Sequence, residues 1–157
     1  MNIYELVDKK AVSVSLQSVD KKNVIIELVD MLEKSGSVKK KEKNEILKKI
    51  QERENLGSTG IGKGVAIPHA KCACVKKLVA SFGISQTGID FKSLDGEKTH
   101  IFFLLIAPGD NPGPHLKALA KISRLLDDKF IRERFLSSKN PQEILKIIKE
   151  EEQKQNK

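Results

Sequence analysis

The apolar and polar positions in the first half of the chain predict one strand and two helices. Residues 11–16 alternate apolar and polar side chains, which indicates a half-buried strand. Apolar residues then recur at helical spacing in a segment that Ser18 or Asp20 can cap and that ends before Gly36. A second amphipathic helix is predicted over 39–53.

The second half of the chain continues the alternation of strands and helices. Strands are predicted at three places: 65–67, 78–85 and 99–107. Helices are predicted at three more: one opened by His115, a short one near 128–136, and one started by Asn140 and Pro141. The segment 99–107 is apolar on both faces, as expected of a central strand in a sheet covered on both sides. The polar residues from Glu150 onward are expected to fray.

Length and composition support a single globular domain. The chain has 157 residues, of which 39% are hydrophobic and 32% charged. Helices placed before, between and after the strands indicate a layered α/β domain. No apolar run approaches the ~20 residues of a membrane helix, and no secretory signal is visible over 1–8. We therefore expect a cytoplasmic protein without membrane insertion, and we exclude a disulfide scaffold, a collagen and a coiled coil.

The formal net charge of +8 raises nucleic-acid binding as an alternative function. Lysines and glutamates are mixed over 39–45, however, as on a solvated helix face. The chain has no Trp, and its aromatic residues do not interleave with basic ones as on a single-strand binding platform. We expect no nucleic-acid partner, whereas the alternative predicts steeply salt-dependent binding of DNA or RNA.

Cys72 and Cys74 form a C-x-C pair rather than a C-x-x-C motif. Because no secretion signal is visible, both are expected to be reduced thiols. His69 precedes them and suggests zinc, but this spacing matches no usual structural zinc site and no second cysteine pair follows. We predict neither a metal nor a cofactor.

The segment 57–64 is rich in glycine and nearly matches a nucleotide-binding P-loop. Gly64 stands where a P-loop hydroxyl would hold Mg²⁺, and the segment runs from a predicted helix to a predicted strand, the reverse of the P-loop order. ATP or GTP binding is therefore not expected. Two interpretations stay open: a tight turn whose glycines allow positive φ, or a backbone cradle for a phosphate carried on a side chain.

Two of the three histidines lie where chemistry is expected. His69 follows a proline at the predicted end of a strand, and His115 opens a helix after a loop rich in glycine and proline. A neutral imidazole is a nucleophile toward phosphorus, and phosphoryl transfer needs groups that balance the charge on the oxygens. Arg53, Thr59 and the helix N-terminus at His115 can supply such groups. No role is assigned to His100.

Three segments together resemble a known family: Arg53-Glu54, Ser58-Thr59-Gly60-Ile61-Gly62 and Gly64-Val65-Ala66-Ile67-Pro68-His69-Ala70. An arginine, a glycine-rich turn and an A-I-P-H-A core in this order resemble the IIA domains of the bacterial phosphoenolpyruvate-dependent sugar phosphotransferase system (PTS). The branch is the fructose/mannitol type, which includes nitrogen-regulatory homologues. Segments 104–108 and 115–119 resemble the family's second region.

The resemblance implies a fold and a set of site residues. The fold is a three-layer α/β/α domain, with a mixed β-sheet flanked by helices. It covers 1–150, and 151–157 is expected to be a polar C-terminal tail. The implied site has two groups: His69 as the phosphoryl acceptor with His115 and Arg53 beside it, and Thr59, Gly60 and Gly62 as substrate-binding residues.

The resemblance also implies partners. In this family a phosphohistidine on the small carrier HPr donates to the IIA histidine, which passes the phosphoryl group to a IIB cysteine and finally to a sugar. We therefore expect HPr as donor and a IIB component as acceptor, during fructose/mannitol-type uptake. No fused IIB domain or transporter segment is visible, so the alternative is a stand-alone nitrogen-regulatory IIA protein whose His69 phosphorylation state controls partner proteins. The motif does not separate the two.

Overall fold

The computed structural model describes residues 2–109 and 112–156. Its helices are α1 (Ile3–Leu6), α2 (Lys21–Ser35), α3 (Lys43–Asn55, preceded by a 3-10 turn over Lys40–Glu42), α4 (Pro112–Asp127), α5 (Lys129–Leu136) and α6 (Pro141–Gln155). Its strands are β1 (Val7–Ser13), β2 (Gly60–Gly62), β3 (Val65–Ala66), β4 (His69–Lys71), β5 (Val79–Ile89) and β6 (Thr99–Ala107). The helix predicted to open at His115 begins earlier, at Pro112. Residues 110 and 111, in the glycine- and proline-rich loop before it, and residue 157, in the predicted tail over 151–157, lie outside the described residues.

The strands form one mixed sheet in the order β1-β5-β6-β3-β2. β5 and β6 are antiparallel, and β1 runs parallel to β5. β3 and β4 follow one another along the other edge of β6, both parallel to it, and β2 is antiparallel to β3. The chain between β2 and β4 therefore stays against a single edge of the central strand.

Two apolar cores lie on opposite faces of this sheet. One core is built with residues of α1, α4, α5 and α6, and the other with residues of α2 and α3. Alternate side chains of β6 serve the two cores: Ile101, Phe103 and Leu105 the first, and Phe102, Leu104 and Ile106 the second. This alternation confirms the predicted central strand, and the three layers confirm the predicted α/β/α fold with its mixed sheet.

Local capping signals correctly mark both ends of α2 and the start of α6. Asp20, rather than Ser18, caps α2 by accepting a hydrogen bond from the N–H of Asn23 (2.8 Å), and Gly36 ends that helix with a φ of 92°. Asn140 caps α6 in the same way, through the N–H of Glu143 (2.9 Å). Within the described ranges, none of the helices combines the length and apolar character needed to span a bilayer.

The first strand begins earlier than the alternating pattern predicted. β1 covers Val7–Ser13 rather than 11–16, and its start is hidden in the sequence by Asp8, Lys9 and Lys10. Because β1 is an outer strand of the sheet, polar side chains along it can reach solvent. The start of β1 depends on its pairing with β5, which lies far along the chain. The local pattern of apolar and polar residues contains no information on that pairing.

The described residues from Glu150 to Gln155 are helical, which corrects the expectation that they fray. α6 continues to Gln155 and buries the side chains of Glu151 and Glu152. The Glu152 carboxylate accepts hydrogen bonds from the N–H groups of Ile3 (2.5 Å) and Tyr4 (3.1 Å), at the start of α1. The polar C-terminal segment is therefore ordered by donors from the opposite end of the chain.

Candidate active site

His69 lies at a break between two short strands. Pro68 separates β3 from β4, and both strands pair in parallel with β6. The sequence predicted that His69 follows a strand end; in the structure it also opens the next strand, in register with Leu105. The carbonyl of Pro68 accepts a hydrogen bond from the N–H of Leu105 (2.9 Å), so the break at the proline does not detach the chain from β6.

A hydrogen bond determines which nitrogen of His69 carries the proton. Nδ1 lies 2.8 Å from the carbonyl oxygen of Ile67. A carbonyl oxygen only accepts, so Nδ1–H donates and Nε2 keeps its lone pair. Burial lowers the pKa of His69, the hydrogen bond to Ile67 opposes this shift, and the charge of Arg53 lowers the pKa further. The ring is thus neutral at neutral pH and presents Nε2 as a nucleophile.

The second histidine lies directly beside the first. His115 is in the first turn of α4, and the centroids of the His69 and His115 rings are 5.4 Å apart, with their planes at 75°. Only 3% of His115 is exposed. Within the described part of the chain, neither of its ring nitrogens has a hydrogen-bond partner. Burial, followed by the charges of His69 and Lys71, lowers the pKa of His115 to about 4, so its ring is neutral with an unused N–H.

Arg53, His69 and His115 line one open pocket of about 370 Å³, which we call the histidine pocket. Arg53 comes from the last turn of α3, and its Nη1 donates to the carbonyl of Gly57 (2.8 Å). This bond uses one of the five N–H donors of the guanidinium. The structure therefore brings together the three residues proposed for phosphoryl transfer, although their roles stay predictions.

The glycine turn, defined as residues 57–64, is bonded to the segment before His69: the carbonyl of Thr59 accepts a hydrogen bond from the N–H of Ile67 (3.0 Å). The described residues that line the histidine pocket do not include Thr59, Gly60 or Gly62. These three residues were predicted to bind the phosphoryl group. That role stays a prediction.

Polar groups of the glycine turn are satisfied within the protein. The N–H of Gly60 donates to Oγ of Ser58 (3.0 Å), and the N–H of Lys63 donates to a carboxylate oxygen of Asp95 (2.9 Å). Gly62 has a φ of 95°, which favours glycine. The N–H of Lys63 is thus already occupied by an anionic side chain of the protein itself. Of the two interpretations of this segment, the geometry matches the tight turn.

Glu54 anchors the glycine turn from the end of α3. Its buried carboxylate accepts hydrogen bonds from the N–H (3.0 Å) and the hydroxyl of Thr59. Nζ of Lys21 lies 3.0 Å from the same carboxylate. The Thr59 hydroxyl is itself buried and already donates to Glu54, so it has a structural partner in place of a phosphate.

The histidine pocket also contains residues that the sequence analysis did not single out. Lys49 and Lys71 add positive charge, Glu52 adds one negative charge, and Leu56 and Leu116 add apolar surface. Leu56 is 85% exposed and Leu116 64% exposed. Lys49 lies one helical turn before the pocket arginine on α3, so the helical period could have identified it. Lys71 could be found only from the pairing of β4 with β6.

The third histidine lies apart from this site. Nδ1 of His100 is 2.9 Å from the carbonyl oxygen of Ser85, across the β5–β6 hairpin. His100 is not among the described residues that line the histidine pocket. This placement agrees with the decision to assign it no role.

Cys72 and Cys74 form a disulfide, which corrects the expectation of two reduced thiols. The bond closes a small ring immediately after β4. One carboxylate oxygen of Glu45 lies within 4.8 Å of both sulfur atoms, and His69 does not belong to this group of described residues. The expectation rested on the cellular compartment alone and took no account of the loop that brings the two side chains together.

The fold and the site define a three-layer α/β protein with paired histidines in a surface pocket. Residues 5–151 match the family described as "Phosphoenolpyruvate-dependent sugar phosphotransferase system, EIIA 2". The chain therefore belongs to this family, and it is a IIA component of the phosphotransferase system type. The match covers both histidines, Arg53 and the glycine turn.

Individual relatives carry two different names. The "PTS system fructose-specific EIIABC component" of Bacillus subtilis (strain 168) is 38% identical over 148 residues, which are 94% of this chain but only 23% of that protein. A "Nitrogen regulatory protein" of Bradyrhizobium diazoefficiens is 35% identical over 148 residues, 94% of this chain and 95% of that protein. The crystal structure of nitrogen regulatory protein IIA-Ntr from Neisseria meningitidis matches with a TM-score of 0.85 at 29% identity, covering 93% of this chain and 98% of that one.

Proposed function

We propose that this protein is a phosphocarrier in which His69 accepts a phosphoryl group from phosphorylated HPr and passes it to a IIB component, in the cytoplasm, during fructose/mannitol-type sugar uptake. In the first step the Nε2 lone pair of His69 forms a bond to phosphorus. The N–P bond of the donor breaks, and its electron pair returns to the donor imidazole. The second step repeats this exchange with the acceptor as nucleophile.

One observation carries the proposal: the hydrogen bond from Nδ1–H of His69 to the carbonyl of Ile67. It leaves Nε2 unprotonated, on a ring that lines an open pocket beside a guanidinium and a second imidazole. The lowered pKa of His69 maintains the neutral ring below neutral pH. A nucleophile, a fixed tautomer and nearby groups that balance charge are what phosphoryl transfer requires.

Arg53 and His115 are suited to hold the transferred group. A phosphorylated side chain carries roughly two negative charges at neutral pH. The Arg53 guanidinium can offer paired N–H donors to phosphoryl oxygens. The buried N–H of His115, which has no partner among the described residues, would gain an acceptor when His69 is phosphorylated. Phosphorylation of His69 would thus supply a hydrogen-bond acceptor to the N–H of His115, which has none among the described residues beforehand.

The rim of the histidine pocket favours protein partners over small molecules. Leu56 and Leu116 expose apolar side chains next to the imidazoles. Exposed apolar groups beside positive charges, here Lys49 and Lys71, are typical of a surface that another protein covers. HPr and a IIB component would use this same face in turn.

Reconstituted phosphotransfer tests the proposal. The protein is incubated with phosphoenolpyruvate, the general PTS kinase and HPr, and the adduct is located by peptide mass spectrometry. We expect an acid-labile, base-stable phosphoryl group on His69, no adduct in His69→Ala, and a normal adduct in the matched control His100→Gln. A phosphoryl group on any other residue contradicts the assignment of His69.

A second candidate function is regulation of nitrogen metabolism, with the phosphorylation state of His69 controlling a partner protein. It is favoured by the relatives named as nitrogen regulatory proteins, whose whole length this chain nearly matches. Two added negative charges on a small surface can change affinity for a partner without refolding. A chase with purified IIB acceptors separates the candidates, because only the transport function predicts rapid loss of the phosphoryl group to a IIB cysteine.

A further inference from the structure

The disulfide ring after β4 has one buried sulfur and one accessible sulfur. Cys72 is 1% exposed, whereas Cys74 is half-buried and lines a separate surface pocket of about 390 Å³. A nucleophile from solvent can therefore approach the disulfide only at Cys74. This asymmetry determines which sulfur is attacked and which one leaves.

The pocket at Cys74 is positively charged. Lys39, Lys76 and Lys77 line it, together with the single acidic residue Glu42. Glu45 adds a carboxylate on the side of α3, within 4.8 Å of both sulfurs. The lysines outnumber these acids and are placed to attract an anionic molecule to the accessible sulfur.

We propose that the Cys72–Cys74 disulfide is a thiol–disulfide exchange site for anionic low-molecular-weight thiols, and that its state controls the support of the two pocket histidines. A thiolate attacks Sγ of Cys74, a mixed disulfide forms, and the electron pair of the broken S–S bond goes to Sγ of Cys72. A second thiolate then attacks the added sulfur of the mixed disulfide and releases Cys74 as a thiolate. Overall, two low-molecular-weight thiols are oxidised to their disulfide and the cysteine pair is reduced; the reverse reaction closes the ring.

The structure favours Cys72 as the leaving group. The N–H of Cys74 points to Sγ of Cys72 at 3.4 Å. An N–H donor of this kind stabilises negative charge on the sulfur as the S–S bond breaks. Cys72 is also buried, so once it is released its reaction with a second external thiol is hindered, and modification is confined to Cys74.

The ring adjoins β4, which carries His69, and also Gly109, three residues before α4. Cys72 directly follows β4, and its N–H donates to the carbonyl of Ala107 (2.8 Å), extending the pairing of β4 with β6. A Cβ placed on Gly109 would lie 3.4 Å from the backbone N of Ala73, so Gly109 packs on the ring. His69 opens β4, and His115 lies in the first turn of α4. Opening the ring therefore loosens the support of both.

The charge preference is tested with two thiols of similar size, 2-mercaptoethanesulfonate and uncharged 2-mercaptoethanol, compared at equal thiolate concentration. At low salt we expect the anionic thiol to open the disulfide about tenfold faster, and high salt to remove the difference. The double variant Lys76→Gln/Lys77→Gln should also remove it. Lys146→Gln, at a different surface pocket, should not. Equal rates at low salt would overturn the electrostatic part of the proposal.

The direction of attack is tested with single-cysteine variants and the disulfide of 2-mercaptoethanesulfonate. Cys72→Ser, which retains the accessible Cys74, should form a mixed disulfide readily. Cys74→Ser, which retains the buried Cys72, should react at least tenfold more slowly while its circular dichroism matches that of the wild type. Similar rates in the two folded variants would contradict the assignment of Cys74.

The link to the histidines is read from imidazole NMR resonances, without any phosphotransfer assay. The link rests on the proposed function only in treating His69 and His115 as the site, and this readout can fail or succeed independently of that function. Reduction of the wild-type protein should shift the ring resonances of His69 and His115, while those of His100 serve as the unchanged internal control. An exchange-competent disulfide with unmoved His69 and His115 resonances would refute the link.

Discussion

Arg53 and Glu54 are neighbours at the end of α3, yet they serve two regions with opposite properties. Arg53 lines the histidine pocket, and Glu54 is buried beneath the glycine turn. In the glycine turn, polar groups are matched by acceptors of the protein itself, such as Asp95. In the histidine pocket, both ring nitrogens of His115 have no partner among the described residues. Both regions contain motif residues of the family, but only the pocket keeps binding capacity free.

This contrast distinguishes the histidine pocket, which can bind a ligand, from the glycine turn, which supports the fold. A buried polar group without a partner costs free energy, so proteins rarely retain one unless a ligand or a reaction uses it. The glycine turn resembles a phosphate-binding loop by composition, but the N–H groups of Thr59, Gly60 and Lys63 already donate to oxygen atoms of the protein. Unsatisfied polar atoms therefore point to the proposed phosphoryl site more directly than glycine content does.

Removing the pocket arginine should have the largest effect. Arg53→Gln is expected to slow phosphoryl transfer to His69 by about 10²–10³-fold, because one charged donor facing the transferred oxygens is lost. The rate is measured by rapid quench with phosphorylated HPr. Lys63→Gln, which removes a glycine-turn lysine paired with Asp127, is the matched control and should retain the wild-type rate. A similar loss of rate in both variants would remove the distinction between pocket and turn.

The pocket should also make stability depend on pH. The pKa of His115 is about 4 in the folded protein against an ordinary value of 6.5, so the unfolded chain binds a proton more readily between these values. Stability is therefore full above pH 6.5 and declines as the pH falls toward 4; between pH 7 and pH 5 we expect a loss of about 2 kcal/mol. The lowered pKa of His69 acts in the same direction.

Urea unfolding at several pH values tests this dependence. In His115→Gln the decline between pH 7 and pH 5 should become smaller, because no imidazole remains at that position to titrate and only the contribution of His69 persists. His100→Gln retains both pocket histidines and should decline as the wild type does. A decline that persists unchanged in His115→Gln would show that another group is responsible.

Local signals were enough for most of the fold. Asp20, Gly36 and Asn140 marked helix ends because caps act within a few residues. The apolar run 99–107 identified the central strand because both of its faces are buried. The start of β1 and the end of α6 were missed, since each depends on a partner far along the chain.

Local sequence signals predicted less of the candidate site than of the fold. The meeting of His69, His115 and Arg53 followed from the family motif, since periodicity alone does not bring α3, β4 and α4 together. The carboxylates of Glu54 and Asp95 accept hydrogen bonds from the glycine turn. The residues around them in the sequence do not indicate this role. The Cys72–Cys74 disulfide was missed because a C-x-C spacing says nothing about the conformation of its loop. Pairing with residues far along the chain accounts for the histidine pocket and for Asp95, whereas Glu54 contacts Thr59 only five residues away.

Within the scaffold, the buried carboxylate should matter for stability more than for chemistry. Glu54→Gln is expected to lower the free energy of unfolding by about 1–2 kcal/mol, because the bonds of Thr59 and Lys21 to a charged acceptor are weakened. The loss stays below the ~3–5 kcal/mol of a fully buried pair since Lys21 is partly exposed. Urea unfolding measures it, and Asp90→Asn, which breaks the exposed pair with Lys92, is the control with little change. If Glu54→Gln slowed phosphoryl transfer as much as Arg53→Gln does, the assignment of Glu54 to the scaffold would be contradicted.

The smallest effect on stability is expected from adding a side chain to a glycine of the glycine turn. Gly62→Ala places a side chain on a residue with a φ of 95°, and its Cβ would lie 3.1 Å from a carboxylate oxygen of Asp95. Asp95 is exposed and can move, so the cost is mainly backbone strain, about 1 kcal/mol in urea unfolding. If the turn only supports the fold, phosphoryl transfer to His69 keeps its wild-type rate. If Gly62 instead lets a phosphoryl group approach the backbone, the rate falls while stability barely changes. The relative size of the two effects therefore decides whether this motif glycine belongs to the scaffold or to the site.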